Sequence, residues 1–223
     1  MNYPFGGMVV LRPYLMGKQI SMLKAIIFDL GRVIIPFDFA RGYHALEAIC
    51  KVPADQIPSR IRATGLVPQF ETGLIEPDVF VERLGEALET PLSYDQFCGI
   101  WRSIFLDETF VPPEMIAGLR KRYRTVLLSN TNVIHFEGLR DTLPQLKHFD
   151  AFILSYEVKA MKPDPLIYAR AIEAAGCRAE ECFFTDDIPE YVEGARQCGI
   201  DAVQFHSLAQ IQSELRQRGV EWE

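Results

Sequence analysis

The sequence lacks several features that would place the protein in other functional classes. No stretch approaches the roughly 18 apolar residues of a membrane-spanning helix, so we do not expect a membrane protein. Basic residues are too few for nonspecific nucleic-acid binding, because 23 Lys and Arg against 30 Asp and Glu give a net charge of -7. The five cysteines are scattered without the spacing of a zinc site or redox pair, which favours reduced thiols in a cytoplasmic protein.

The composition instead indicates an ordinary globular protein with a packed core. Hydrophobic residues make up 48% of the 223 residues and charged residues 24%. This length suits one domain with an inserted smaller module. Residues 1–21 precede the first convincing strand, and we interpret them as an N-terminal extension on which little function depends.

Short apolar runs alternate with amphipathic segments along most of the chain. The runs at 25–28, 125–128, 151–154, 182–185 and 201–205 predict five strands, and 113–122, 165–175 and 189–198 predict helices. Prolines open these helices, where a missing N–H costs nothing. The alternation predicts a doubly wound, Rossmann-like parallel α/β sheet, with its site at the carboxyl ends of the strands.

Residues 37–111 depart from this alternation. Helical spacing at 40–51, 55–64, 77–88 and 93–105 occurs without intervening strands. This segment leaves the predicted sheet after the first strand and returns to it before the second. We therefore expect an all-helical cap at 37–111 over the strand ends of a core formed by 22–36 and 112–223.

Polar side chains follow the ends of several predicted strands. Any one of them could simply cap the helix that follows, as Asp, Ser and Asn commonly do. Together they supply a carboxylate nucleophile, hydroxyl and amide donors, an ammonium and further carboxylates for a cation, which is the set that phosphoryl transfer requires. They are Asp29, Ser129, Asn130, Lys162, Asp186 and Asp187.

Residues 22 to about 210 resemble the haloacid-dehalogenase superfamily. The four motifs of that family match Ile-Ile-Phe-Asp-Leu-Gly-Arg-Val at 26–33, Val-Leu-Leu-Ser-Asn-Thr-Asn at 126–132, Met-Lys-Pro-Asp at 161–164 and Phe-Phe-Thr-Asp-Asp at 183–187. Within the superfamily, the sequence is similar to the branch with a helical cap that includes glucose-1-phosphate phosphatase-like proteins. The order and spacing of four motifs make this match specific.

The resemblance implies a role for each motif. Asp29 would be the nucleophile, Lys162 would neutralise it and the phosphate, and Ser129 with the backbone of Asn130 would hold the phosphoryl oxygens. Further substrate-side positions are Thr131, Asn132 and His135, the last at the spacing seen in the branch.

The resemblance also implies a magnesium ion, bound by hard oxygen ligands and water. The expected ligands are the Asp29 carboxylate, the Gly31 carbonyl and an acidic residue of the fourth motif. Asp187 aligns with the family's metal aspartate and is favoured as the direct ligand. The neighbouring Asp186 is the alternative.

The first motif departs from the family at Gly31, where most phosphatases of this type carry an aspartate that acts as general acid and base. Its loss suits a good leaving group, such as the anomeric oxygen of a sugar 1-phosphate, unless His135 or Asp38 donates the proton. Residues 70–73 are predicted as a turn resembling a substrate-side segment of the branch. Glu71 is therefore a candidate for substrate binding, with helix capping as the alternative.

The sequence thus predicts a magnesium-dependent phosphatase of a small phosphorylated metabolite that forms an aspartyl phosphate on Asp29. One alternative is a metal-independent haloacid dehalogenase, which Asp186 and Asp187 disfavour because adjacent carboxylates near Asp29 repel without a cation. The other is a catalytically silent phosphosugar-binding protein. The pattern leaves open whether the protein is a monomer or a homodimer.

Overall fold

The computed structural model describes residues 22–223, and the predicted extension at 1–21 lies outside this range. Its centre is a five-stranded parallel sheet in the order β3-β2-β1-β4-β5. This confirms the predicted doubly wound α/β fold and the position of every predicted strand. The strands are β1 (Ala25–Phe28), β2 (Arg124–Ser129), β3 (Ala151–Leu154), β4 (Cys182–Asp186) and β5 (Asp201–Gln204).

Eleven α-helices accompany the sheet within the described range. They are α1 (Phe39–Glu47), α2 (Ile57–Thr64), α3 (Leu66–Glu71), α4 (Pro77–Ala87), α5 (Tyr94–Arg102), α6 (Pro113–Arg120), α7 (Val133–Arg140), α8 (Ser155–Val158), α9 (Pro165–Ala175), α10 (Pro189–Gln197) and α11 (Leu208–Gln217). Short 3₁₀ helices lie at Pro144–His148 and Ala179–Glu181. No helix of residues 22–223 combines the length and apolar character needed to cross a membrane.

Successive side chains of β1 point to opposite faces of the sheet, and each face is covered by helices. Ile26 and Phe28 pack with apolar residues of α6, α7 and α11. Ala25 and Ile27 pack on the other side with residues of α9 and α10. Burial on both faces explains why the strands are near-continuous apolar runs rather than alternating ones.

Helices α1–α5 form a helical insert with a hydrophobic cluster of its own. Phe80 lies at its centre, with its ring 4.2 Å from that of Phe70 and 5.7 Å from that of Trp101, centroid to centroid. Ile134 of α7 also belongs to this cluster, so the insert packs directly on the core beside the strand ends.

One helix of the insert contradicts the sequence prediction. Residues 70–73 were expected to form a turn, but Phe70 and Glu71 are the last residues of α3. Gly65 and Pro68 are typical of turns, and for this reason the six-residue helix was not predicted. Gly65 adopts a left-handed conformation that separates α2 from α3, and Pro68 lies in the first turn of α3, where its missing N–H is tolerated.

Candidate active site

The sheet brings three of the predicted site segments together. β1 lies between β2 and β4, with Phe28 paired to Leu127 on one side and to Thr185 on the other. Asp29 directly follows β1, while Ser129 and Asp186 end β2 and β4. All three side chains are buried at the same edge of the sheet.

Lys162 joins the two buried carboxylates. Its ammonium donates to Asp29 Oδ1 at 2.6 Å, to Asp186 Oδ2 at 2.5 Å and to the Leu128 carbonyl at 3.2 Å. Asn130 fixes this lysine from its backbone, because the Asn130 side chain donates to the Lys162 carbonyl at 3.0 Å and accepts from the Lys162 N–H at 2.8 Å. The Asn130 side chain thus positions Lys162. This role is compatible with the prediction that the Asn130 backbone holds a phosphoryl oxygen.

Burial and the neighbouring charges perturb the titration of this cluster. Burial raises the pKa of Asp29 to about 7, with Lys162 opposing the rise and Asp186 adding to it. Burial alone would lower the pKa of Lys162, but Asp186 and Asp29 outweigh it and hold that pKa above its usual value. The lysine is therefore charged at neutral pH.

The three acidic residues could hold a divalent cation. Asp29, Asp186 and Asp187 each place a carboxylate oxygen within 4.8 Å of the others. Three carboxylates against one ammonium leave an excess of negative charge, and burial together with Asp186 raises the pKa of Asp187. A hard cation with oxygen ligands, such as magnesium, fits both the donor atoms and the charge.

The two neighbouring aspartates are not equivalent. Asp186 is fully buried, and its oxygens accept from Lys162 and from the Ile188 N–H at 2.9 Å. Asp187 is only partly buried, and its side chain makes no hydrogen bond or ion pair within residues 22–223. Asp187 therefore has the freer carboxylate.

A cavity of about 120 Å³ lies between the strand ends and the helical insert. Residues of both contribute to its wall. The wall includes Phe37 and six of the predicted site residues, namely Gly31, Glu71, Ser129, Asn130, Thr131 and His135.

The Gly31 side of this cavity is occupied by an aromatic ring. A Cβ atom on Gly31 would lie 2.8 Å from Cε1 of Phe37, closer than a Cβ contact allows. The Arg32 guanidinium lies 4.9 Å from the centroid of the same ring. The structure thus fills the space beside Gly31 with Phe37, which sequence analysis missed because the contact depends on the bend after β1.

His135 and Asn132 hold the insert to the core. The Asn132 side chain accepts from the His135 N–H at 3.0 Å and lies 3.1 Å from His135 Nδ1, while His135 Nε2 lies 2.9 Å from the Trp101 carbonyl. This pattern fits a neutral imidazole that donates from Nε2 to the carbonyl. Burial lowers the pKa of His135 to about 4. Both nitrogens are engaged, so the structure gives this histidine no proton to donate.

Thr131 is likewise engaged through its backbone. Its N–H donates to Ser155 Oγ at 2.9 Å, and the Ser155 hydroxyl donates in turn to the Glu71 carbonyl at 2.6 Å. The N–H of Thr131 is therefore used to join core and insert. Ser155 was missed by sequence analysis, since nothing in its surroundings resembles a family motif.

Comparison with known proteins matches residues 23–199 to the model of the haloacid dehalogenase-like hydrolase family. The chain belongs to this family. Among its relatives is the D-ribitol-5-phosphate phosphatase of Bacteroides thetaiotaomicron, which is 28% identical in an alignment of 200 residues that covers 87% of this chain and 97% of the relative. A phosphatase of Mycobacterium tuberculosis is 27% identical and covers 81% of this chain and 86% of its own.

Solved structures of family members superpose over most of the chain. A haloacid-dehalogenase family enzyme of Bacteroides thetaiotaomicron, in complex with magnesium and inorganic phosphate, is 30% identical with a TM-score of 0.75 and covers 83% of this chain and 96% of its own. The L-2-haloacid dehalogenase of Xanthobacter autotrophicus covers 90% of this chain and 85% of its own, with a TM-score of 0.60 and 19% identity, which shows the shared fold alone.

Proposed function

We propose that this family member is a magnesium-dependent phosphatase in which Asp29 attacks the phosphoryl group of a small metabolite and forms an aspartyl phosphate. The observation that carries the proposal is the arrangement of Lys162 between Asp29 and Asp186, with the Asp187 carboxylate close by. The magnesium and phosphate complex of the 30% identical family structure and the phosphatase relatives support it.

The residues present have the chemistry that phosphoryl transfer requires. Asp29 supplies the nucleophilic oxygen, and Lys162 supplies a fixed positive charge beside it. Asp29, Asp187 and the Gly31 carbonyl would hold magnesium, with Asp186 engaged mainly by the lysine. A bound magnesium ion supplies charge that neutralises the phosphoryl oxygens in the transition state. The Ser129 hydroxyl and the Asn130 N–H would hold the phosphoryl oxygens.

The substrate we propose is a phosphorylated sugar or sugar alcohol. Its phosphate would be either on the anomeric carbon or on a terminal carbon. The glycine at position 31 favours an anomeric phosphate, because that oxygen leaves without much help from an acid. The relative named for D-ribitol 5-phosphate instead acts on a phosphate at a terminal carbon.

Release of inorganic phosphate tests the proposal. The purified protein would be assayed with and without magnesium on glucose 1-phosphate, glucose 6-phosphate, ribitol 5-phosphate and p-nitrophenyl phosphate, with Asp29→Asn as the matched control. Phosphate release that requires both magnesium and Asp29 supports the proposal.

Two other outcomes would overturn it. Halide release from 2-haloacids in excess chelator would identify a dehalogenase. Binding of sugar phosphates by calorimetry without turnover of any of them would identify a phosphosugar-binding protein.

A further inference from the structure

The cavity beside the nucleophile contains one carboxyl group that the proposed chemistry has not used. Glu71 ends α3 in the insert and lines the cavity together with Gly31 and Ser129. Its side chain makes no hydrogen bond or ion pair with any residue of 22–223. Glu71 and His135 are the two titratable side chains in the described wall of this cavity.

The other candidates for a proton donor are engaged elsewhere. His135 donates from Nε2 to the Trp101 carbonyl, and its pKa is far below neutrality. Asp38 is exposed, and its Oδ1 accepts from the Ala40 N–H at the start of α1, which makes it a helix-capping residue. An aspartate at position 31 would collide with Phe37. Glu71 is the one carboxyl-bearing residue in the wall of this cavity as residues 22–223 define it.

The backbone that carries Glu71 is fixed to the core at two points. The Ser155 hydroxyl donates to the Glu71 carbonyl at 2.6 Å, and the Lys159 ammonium donates to the Gly73 carbonyl at 2.5 Å. These two contacts keep the backbone from which the Glu71 side chain projects in a constant position relative to the strand ends. Positioning of this kind is what proton transfer to a leaving group demands.

We propose that Glu71 is the general acid and base of this enzyme and takes the place of the aspartate missing at Gly31. The proposal rests on the proposed phosphatase function. As an Asp29 oxygen bonds to phosphorus and the P–O bond to the leaving group breaks, the Glu71 carboxyl gives its proton to the departing alkoxide. A water oxygen then attacks the aspartyl phosphate, Glu71 takes a proton from it, and the P–O bond to Asp29 breaks to release inorganic phosphate.

The surroundings of Glu71 suit this double role. Burial raises its pKa to about 7, so that protonated and ionised forms are both populated near neutral pH. A group whose pKa is close to the working pH can both donate and accept a proton at a small cost in free energy. Glu71 is partly buried, and carboxyl groups whose pKa is raised by burial are found in other enzymes that use a carboxylic acid as proton donor.

A leaving-group series separates proton donation from substrate binding. Phenyl phosphate and p-nitrophenyl phosphate have nearly the same size and no hydroxyl groups, but phenolate is the much poorer leaving group. The rate of the first turnover with magnesium would be measured for the wild type, Glu71→Gln and the control Glu82→Gln, whose carboxylate is exposed on α4.

We expect Glu71→Gln to lower the first-turnover rate with phenyl phosphate by about 10² or more, and with p-nitrophenyl phosphate by less than about threefold. Release of p-nitrophenolate should then show a burst followed by slow turnover, because the second step has lost its base. Glu82→Gln should behave like the wild type with both substrates.

Equal losses on the two substrates, or no loss on either, would overturn the role of Glu71. Both outcomes presuppose an active wild type, which distinguishes them from failure of the phosphatase proposal itself. If the wild type releases no phosphate with magnesium, the proposed function fails first. A circular dichroism spectrum of Glu71→Gln matching the wild type ensures that lost activity is not lost folding.

Discussion

Replacing Glu71 by Gln should stabilise the folded protein, and the effect should depend on pH. The pKa of Glu71 rises from its ordinary value of 4.5 to about 7 because of burial. The unfolded chain therefore ionises at a lower pH than the folded one. The contribution of Glu71 to wild-type stability is highest below about pH 4.5, falls as the pH rises through the interval up to about 7, and is constant above it.

The size of the effect follows from the same two values. Moving the pKa from 4.5 to about 7 corresponds to at most about 3 kcal/mol, since each pKa unit is worth about 1.4 kcal/mol. Glutamine has nearly the same shape and never ionises, so the variant escapes this loss. The difference in unfolding free energy between variant and wild type should grow by up to about 3 kcal/mol between acidic pH and about pH 8.

Urea unfolding followed by tryptophan fluorescence would measure this difference, because Trp101 is buried in the insert. The titration is done in chelator, so that no bound metal changes the charge balance near Asp29. Glu82→Gln, which removes an exposed carboxylate, is the matched control. A flat difference for Glu71→Gln would show that water in the cavity solvates the carboxylate and that its pKa is ordinary.

Three further predictions concern the nucleophile, the metal ligands and the glycine of the first motif. Asp29→Asn should abolish turnover without unfolding the protein, and mass spectrometry of wild-type enzyme trapped with substrate should place the phosphoryl group on Asp29; label on another residue would refute the mechanism. Asp187→Ala should raise the magnesium concentration needed for activity and leave stability nearly unchanged. Asp186→Ala should instead destabilise the fold by about 1.5–3 kcal/mol, because the buried Lys162 loses one charged hydrogen-bond acceptor and keeps Asp29. Magnesium titrations and urea unfolding of both variants check this, and the reverse ranking would exchange their roles. Gly31→Asp should lower the free energy of unfolding by about 1–3 kcal/mol, because its Cβ meets the ring of Phe37. Adding Phe37→Ala to this variant should recover much of that loss in thermal unfolding. Equal losses in the single and the double variant would contradict this explanation.

The parts of the site that follow strands could be predicted from the sequence. Asp29, Ser129 and Asp186 each come at the end of an apolar run, and parallel strands bring such ends together by geometry alone. The sequence also suggested that Asp187 is the metal ligand and Asp186 the alternative. The structure adds that Lys162 and the Ile188 N–H engage Asp186. The choice of ligand stays a prediction.

Contacts between distant segments could not be predicted. His135 was expected on the substrate side because of its spacing from Ser129, but its partner is a carbonyl 34 residues earlier in the chain. Glu71 was singled out only as a possible binding residue. Its raised pKa arises from burial between α3 and the core, which no local pattern encodes. The helix α3 itself was missed because Gly65 and Pro68 are common in turns.

The way in which the segment 71–73 is attached to the core has a consequence for the divergence of substrate preference. Ser155 and Lys159 hold this segment through the carbonyl oxygens of Glu71 and Gly73, and any amino acid at position 71 would provide the first of these. The side chain at position 71 takes no part in the attachment. Substitutions at position 71 can therefore change which leaving groups are protonated without weakening the attachment of this segment to the core. New specificities are accessible by single substitutions that leave the architecture intact.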